Sequence, residues 1–157
     1  MATTKPSSTF LGISGAFENI FIAESHATYA SMQSVPSGSW TVLNFVTEVL
    51  DQGSDFDLAN DKFIAPEAGD YFFWGAYNNL HGSGSGTDQR LALLHYNSSG
   101  SNLEQRNLGK TTVHEAGQNG FGAFTMAAND YVNVQLYQAS GSGKIVDSVI
   151  FMGWKAS

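Results

Sequence analysis

Asp57-Leu58-Ala59-Asn60-Asp61-Lys62-Phe63-Ile64-Ala65-Pro66-Glu67-Ala68-Gly69-Asp70-Tyr71-Phe72-Phe73-Trp74 is the stretch from which the rest of the chain is read. A turn rich in Asp and Asn runs into a short strand, Lys62 to Ala65. Pro66 has no amide donor and a fixed φ, so it should end that strand; Gly69 can take a positive φ where the chain reverses. The strand that follows puts Tyr71 and Phe73 on one face and Phe72 and Trp74 on the other. Rings on both faces predict a central strand whose second face meets another layer or another subunit.

Working outward, the chain divides into short strands separated by turn signals. Toward the N-terminus, Trp40 to Leu50 reads as one strong strand, with Leu43, Phe45, Thr47 and Val49 on one face. Ala27 to Val35 reads as a strand before the Pro36–Ser39 turn. After Trp74 the strand is expected to end at Tyr77, followed by an Asn78–Asp88 loop. Arg90–Tyr96, Leu103–Thr112, Phe121–Met126, Tyr131–Tyr137 and Lys144–Trp154 complete the set, with Gly117-Gln118-Asn119-Gly120 read as a turn. About ten short strands and no convincing long helix give an all-β sandwich. Residues 1–25 are set apart as a flexible polar tail and an apolar arm carrying Phe10, Leu11, Ile13, Phe17, Ile20 and Phe21. That arm is either packed on the domain's own core or donated to a neighbour. Residues 26–157 form the domain.

Composition narrows the function. The 157 residues suffice for one domain with a sizeable core. Charged residues are 13% of the chain and glycines number 17, which suits short strands and many turns rather than salt-bridged helices. A net charge of −7 argues against nucleic acid and anionic membrane surfaces, both of which require a basic footprint. There is no cysteine, hence neither a disulfide nor a thiolate metal site. The N-terminus lacks the apolar core of a secretory signal, and no run of apolar residues is long enough for a membrane span, so cytoplasmic synthesis without membrane insertion is expected.

The order of signals from Trp40 onward resembles the globular domain of the complement C1q and tumour necrosis factor superfamily. Val42-Leu43-Asn44-Phe45 followed by Asp51-Gln52 is similar to that family's early strand and turn. Phe63-x-x-Pro66-x-x-Gly69-x-Tyr71-x-Phe73 resembles its most distinctive run. Asn129-Asp130-x-Val132-x-Val134 resembles its Gly-Asp-x-Val strand, with Asn in place of Gly, and Phe151-x-Gly153-Trp154 its terminal strand. The resemblance spans roughly residues 27–155. It implies a ten-stranded antiparallel jelly roll that assembles as a homotrimer, with Phe45, Phe63, Pro66, Gly69, Tyr71, Phe73, Val132, Val134, Phe151 and Gly153 as fold and trimer signature. The chain departs from secreted animal members in having no collagen-like stalk and no cysteine. It is closer in plan to bacterial or bacteriophage proteins with this fold.

Catalytic motifs fail on inspection. Gly109-Lys110-Thr111 has Glu104 where a phosphate-binding loop needs its first glycine, and Gly143-Lys144 has Gln138 there. Gly82-Ser83-Gly84-Ser85-Gly86 has a glycine at the nucleophile position of Gly-x-Ser-x-Gly. His26, His81, His95 and His114 show no metal-ligand spacing. Asp51, Asp55, Asp57 and Asp61 crowd one region, which leaves calcium open, yet the spacing is not an EF-hand and solvated turn carboxylates explain it more simply. No enzyme, no cofactor and no metal are expected.

Two function classes follow. One is a homotrimeric structural protein of a viral (bacteriophage) particle, a capsid decoration or small tail-associated protein whose arm contacts capsid or tail proteins. The other is a trimeric module that recognises carbohydrate or a cell-surface protein through loops such as Asn97–Asn102, with Tyr96, Tyr77 or Trp40 stacking on sugars. The first ranks ahead on the sequence alone.

Overall fold

The computed structural model describes residues 17–26, 32–82, 88–113 and 116–156. Twelve antiparallel strands form two six-stranded sheets packed face to face. The first sheet has the order β10 (Gln118–Met126), β7 (Gly69–His81), β12 (Lys144–Ala156), β1 (Phe17–Ser25), β4 (Thr47–Asp51); β2 (Gln33–Val35) continues the β1 edge of β12. The second has the order β5 (Phe56–Asp57), β6 (Lys62–Ile64), β11 (Tyr131–Gln138), β8 (Gln89–Tyr96), β9 (Asn102–Thr111); β3 (Trp40–Val42) lies beyond β6 along β11.

The period of two decides what lies between the sheets. Tyr71 and Phe73 of β7 point inward and are fully buried, as do Phe21 of β1, Phe63 of β6 and Phe151 of β12. Their rings form one aromatic cluster: Phe21 stacks on Phe63 at 4.9 Å, meets Phe151 edge-on at 4.9 Å, and Phe63 meets Phe73 at 5.3 Å. Such offset and edge-to-face pairs add to the burial of the rings themselves. Phe45, Val132 and Val134 complete the core around them. The central position expected for the aromatic strand is correct, since β7 is hydrogen-bonded to β10 on one side and β12 on the other.

Several expectations are corrected. Among the described residues twelve strands are formed where about ten were expected, partly because Trp40–Leu50 is not one strand. β3 pairs with β11 in the second sheet and β4 pairs with β1 in the first, so residues 43–46 cross from one sheet to the other. Leu43 and Phe45 are buried at this corner, whereas Thr47 and Val49 are exposed. β7 runs on through Asn78 to His81, and β10 begins at Gln118, inside the expected turn. Only Gln33–Val35 of the expected first strand forms a described strand; residues 27–31 lie outside the described residues.

For the described part of the arm, the first of the two alternatives holds. Residues 17–25 are β1, hydrogen-bonded between β12 and β4, and Phe21 is a core residue rather than a free contact. A residue with no exposed surface cannot dock a partner. Ile20 is half-buried, and Phe10, Leu11 and Ile13 lie outside the described residues.

Gly69 does not take the positive φ open to it. The positive φ in this stretch belongs to Asp61 (53°), at the turn into β6. Gly69 opens β7 opposite Met126, and a Cβ there would come within 2.6 Å of the Lys155 side chain. It makes room for the aliphatic stem of Lys155, whose Nζ lies 2.7 Å from Glu67. Pro66 follows β6 as expected.

Candidate functional site

The outward residues of the first sheet align into rows that cross it. Leu50 of β4 faces Ile22 of β1, Ile22 faces Met152 of β12, Met152 faces Trp74 of β7, and Trp74 faces Phe121 of β10. Five strands thus contribute five apolar side chains to one line. A second row holds Trp154, Phe72 and Ala123, with Phe72 and Trp154 stacked at 6.0 Å. Phe121 meets Trp154 edge-on at 6.3 Å and Trp74 at 6.5 Å, so the aromatic rings form one surface. Phe121 is 68% exposed and Phe72 39%. Toward the β1 C-terminus the face turns polar: His26, Asn78, Asn119 and Ser148 line a shallow groove beside Trp74. His26 Nδ1 lies 3.4 Å from Ser148 Oγ, and its Nε2 lies 3.2 Å from Glu24.

The outward face of the second sheet is different in kind. Trp40 and Tyr137 lie at one end of it with ring centroids 5.5 Å apart, and Tyr96 and Tyr131 stack at 4.9 Å at the other. Asn133 and Gln135 sit between the pairs on β11. Of the three aromatics offered as sugar-stacking groups, Tyr96 and Trp40 are therefore on a surface, but Tyr77 is not. Its ring lies between the sheets, its hydroxyl accepts a hydrogen bond from Gln118 Nε2 at 2.7 Å and lies 3.2 Å from Gln89 Oε1, and burial pushes its pKa up to about 12.

Three of the four clustered aspartates, Asp51, Asp57 and Asp61, are occupied in holding the fold. Asp51 accepts from the Asp55 and Phe56 amides at 3.1 and 2.9 Å, Asp57 from Asn60, and Asp61 from the Phe45 amide at 2.6 Å. Burial raises the Asp61 carboxyl above its usual range against that bond. Among the described residues no three His, Cys, Asp or Glu side chains are placed to hold a metal ion. His95 Nε2 lies 3.0 Å from Asp130 Oδ2, both buried, and His81 Nε2 lies 3.0 Å from Asp147 Oδ2. His114 lies outside the described residues. Lys144, from the failed phosphate-loop match, is buried in β12 and donates to the Gly82 carbonyl at 3.3 Å. Asn97, in the Asn97–Asn102 loop, accepts from the Ser99 and Ser101 amides, an Asx turn.

Neither face was assembled by the sequence reading. The signal for the second lies in Tyr131-x-Asn133-x-Gln135-x-Tyr137, an aromatic–amide–amide–aromatic alternation on one side of a strand. The signal for the first lies on five separated strands and needs their register.

No family model and no curated protein sequence matches the chain. Solved structures do. The globular domain of zebrafish complement 1qA superposes with a TM-score of 0.58 at 14% identity, over 88% of this chain and 96% of that one. Murine APRIL superposes with a TM-score of 0.56 at 10% identity, over 86% and 98%. At such identities the likeness speaks to architecture, and it extends over nearly the whole of both relatives. Those superpositions, with the two six-stranded antiparallel sheets and the core described above, give this chain the C1q/TNF-like jelly-roll fold.

Proposed function

We propose that the chain is a non-enzymatic binding module that works as a homotrimer, with the outward face of the first sheet as its subunit interface. The observation that carries this is the row Leu50–Ile22–Met152–Trp74–Phe121. A sheet face in water alternates polar residues with the buried set; here one outward row is aromatic and aliphatic across five strands. Interface cores are enriched in aromatic residues and Met and depleted in charge, as this face is. A homotrimer is the assembly implied by the family resemblance, and closed cyclic symmetry would cover the face in each copy.

The particle-protein reading leans on an arm free to reach a neighbour. With Phe21 in the core and β1 inside the sheet, that support shrinks to the residues before Phe17. No feature of the described residues favours a capsid or tail contact, so the binding module is the reading put forward.

Sedimentation equilibrium is the test. The wild type is expected at three times the 16.8 kDa chain mass, and Phe121→Lys as a folded monomer or a much weaker trimer. Phe121 is mostly exposed, so the lysine is tolerated by the isolated fold. A monomeric wild type, or a trimer indifferent to the substitution, would falsify this interface.

A further inference from the structure

We propose that the outward face of the second sheet binds a neutral oligosaccharide, laid along β11 between the Trp40–Tyr137 and Tyr96–Tyr131 pairs. The proposal rests on the reading of the chain as a binding module and supplies its ligand class. It uses the face opposite the one assigned to subunit contact.

The register sets out the platform. Tyr137 faces Trp40 on one neighbour and Arg90 on the other; six residues along the same strand, Tyr131 faces Ile64 and Tyr96. At the rise of an antiparallel strand the two aromatic ends are roughly 20 Å apart. Between them Gln135 and Ala92 form one row with Asn107, and Asn133 and Leu94 form the next with Gln105. Ala92, Leu94, Asn133 and Gln135 are buried, whereas the four rings are half-buried. The amides therefore form a sunken floor between raised aromatic ends.

The chemistry of that floor is neutral and doubly competent. Gln135 Nε2 donates to Tyr96 Oη at 3.0 Å and to Asn133 Oδ1 at 3.1 Å, and Gln105 Nε2 donates to Asn107 Oδ1 at 2.7 Å. These bonds fix the amides while leaving the Gln135 and Gln105 carbonyls and the Asn133 and Asn107 amino groups as acceptors and donors side by side. Hydroxyls of a sugar ring, which donate and accept at once, match such a set. The apolar face of the ring matches an aromatic surface.

Charge points the same way. The cations at the ends of the platform are already paired. Arg90 Nε lies 2.9 Å from Asp88 Oδ1 with its guanidinium over Tyr137, and Lys62 lies 4.7 Å over the Tyr131 ring and 3.9 Å from Asp57. An acidic ligand would need unpaired cations, and a peptide strand adds to an open sheet edge rather than to a face. The same pairs hold Tyr137 and Tyr131 in place before a ligand arrives, which lowers the ordering cost of binding.

The test is isothermal titration of the full chain with cellotetraose, mannotetraose, maltotetraose and chitotetraose, alongside the matching monosaccharides and tetragalacturonate. At least one neutral tetrasaccharide is expected to bind once per chain, on the order of tenfold more tightly than its monosaccharide, because two aromatic ends are engaged. Trp40→Ala and Tyr96→Ala should each weaken it on the order of tenfold, with Trp40→Phe close to wild type as the control for folding. Phe121→Lys, on the opposite face, should leave binding per chain unchanged whatever it does to assembly. Binding that survives both alanine variants, or tetragalacturonate binding as well as the neutral sugars, overturns the site and leaves the module reading standing. If no probe binds the wild type, the oligosaccharide site is overturned, while the module reading stands or falls separately on the sedimentation of the wild type and Phe121→Lys.

Discussion

Gly153 lies between Phe21 and Phe73, the residues opposite it on the two strands that flank β12. A Cβ at Gly153 would come within 2.5 Å of the Phe73 ring, 2.7 Å of the Phe21 ring and 2.9 Å of the Phe72 carbonyl. Three adjacent strands thus meet where the middle one carries no side chain, and the two rings close over the gap. Its φ is not in the left-handed region, so the requirement for glycine is one of space alone.

Gly153→Ala should therefore destabilise the fold by overpacking, by about 1–3 kcal/mol. Urea unfolding is the measurement, with the midpoint expected to fall at unchanged slope. A neutral substitution would mean that the Phe21 and Phe73 rings shift at little cost.

Phe21 itself gives a second expectation. Its ring touches Phe56, Phe63, Phe73 and Phe151, so Phe21→Ala should cost about 3–5 kcal/mol. Removing residues 1–25 deletes β1 from between β12 and β4 and should leave an unfolded or aggregating chain by circular dichroism. Removing residues 1–16 should leave the melting temperature within a few degrees of wild type. If the 1–25 truncation folds, β1 is dispensable and the arm reading returns.

These residues show what the sequence could disclose. Strand β7 and its inward Tyr71 and Phe73 were legible because period-two alternation and the Pro66–Gly69 bracket are local signals. Trp40–Leu50 misled for a physical reason. A corner that sends both Leu43 and Phe45 into the core preserves the same alternation as a continuous strand, although β3 and β4 belong to different sheets. Phe17, Ile20 and Phe21 fit a helical turn as well as a strand, and only the pairing with β12 and β4 decides. Gln118 was hidden between glycines that suggest a turn. Asn133 and Gln135 look like ordinary solvent-facing strand residues until Trp40 and Tyr96 are brought beside them.

The buried pair of His95 and Asp130 supports a third expectation. Asp130 Oδ2 lies 3.0 Å from His95 Nε2 and accepts from the Ala127 amide at 3.0 Å, so it joins β8 to the turn that opens β11. Asp130→Ala leaves both the imidazole and that amide without their partner inside the fold. The expected loss is about 1–3 kcal/mol, the cost of leaving buried hydrogen-bonding groups unsatisfied. His95→Leu, which removes the other member, leaves a carboxylate still held by an amide. A double-mutant cycle over the two variants should return a coupling of at least 1 kcal/mol. A coupling near zero would mean that each group is satisfied independently.

The last expectation concerns Asp55, whose carboxyl is raised above the usual range first by burial and second by Asp51 beside it. Its Oδ2 is buried with no hydrogen-bond partner among the described residues. The sign follows from proton linkage. With a folded-state pKa above the unfolded value of 3.8, the native state binds more protons between the two values, so stability falls as pH rises through that window. The stabilising contribution of neutral Asp55 is complete below the unfolded pKa and lost above the folded one. Asp55→Asn keeps the shape, cannot ionise and places an amino group beside the Asp51 carboxylate. At neutral pH the variant should therefore be more stable than wild type, by less than about 1 kcal/mol, because solvent screens a carboxyl that is only half-buried. Thermal melts from pH 3 to pH 8 should show the two proteins together at the acid end and separating as pH rises, with the variant above. A variant that melts lower than wild type at neutral pH would mean that ionised Asp55 is held by a favourable contact, and the burial argument would fail at this position.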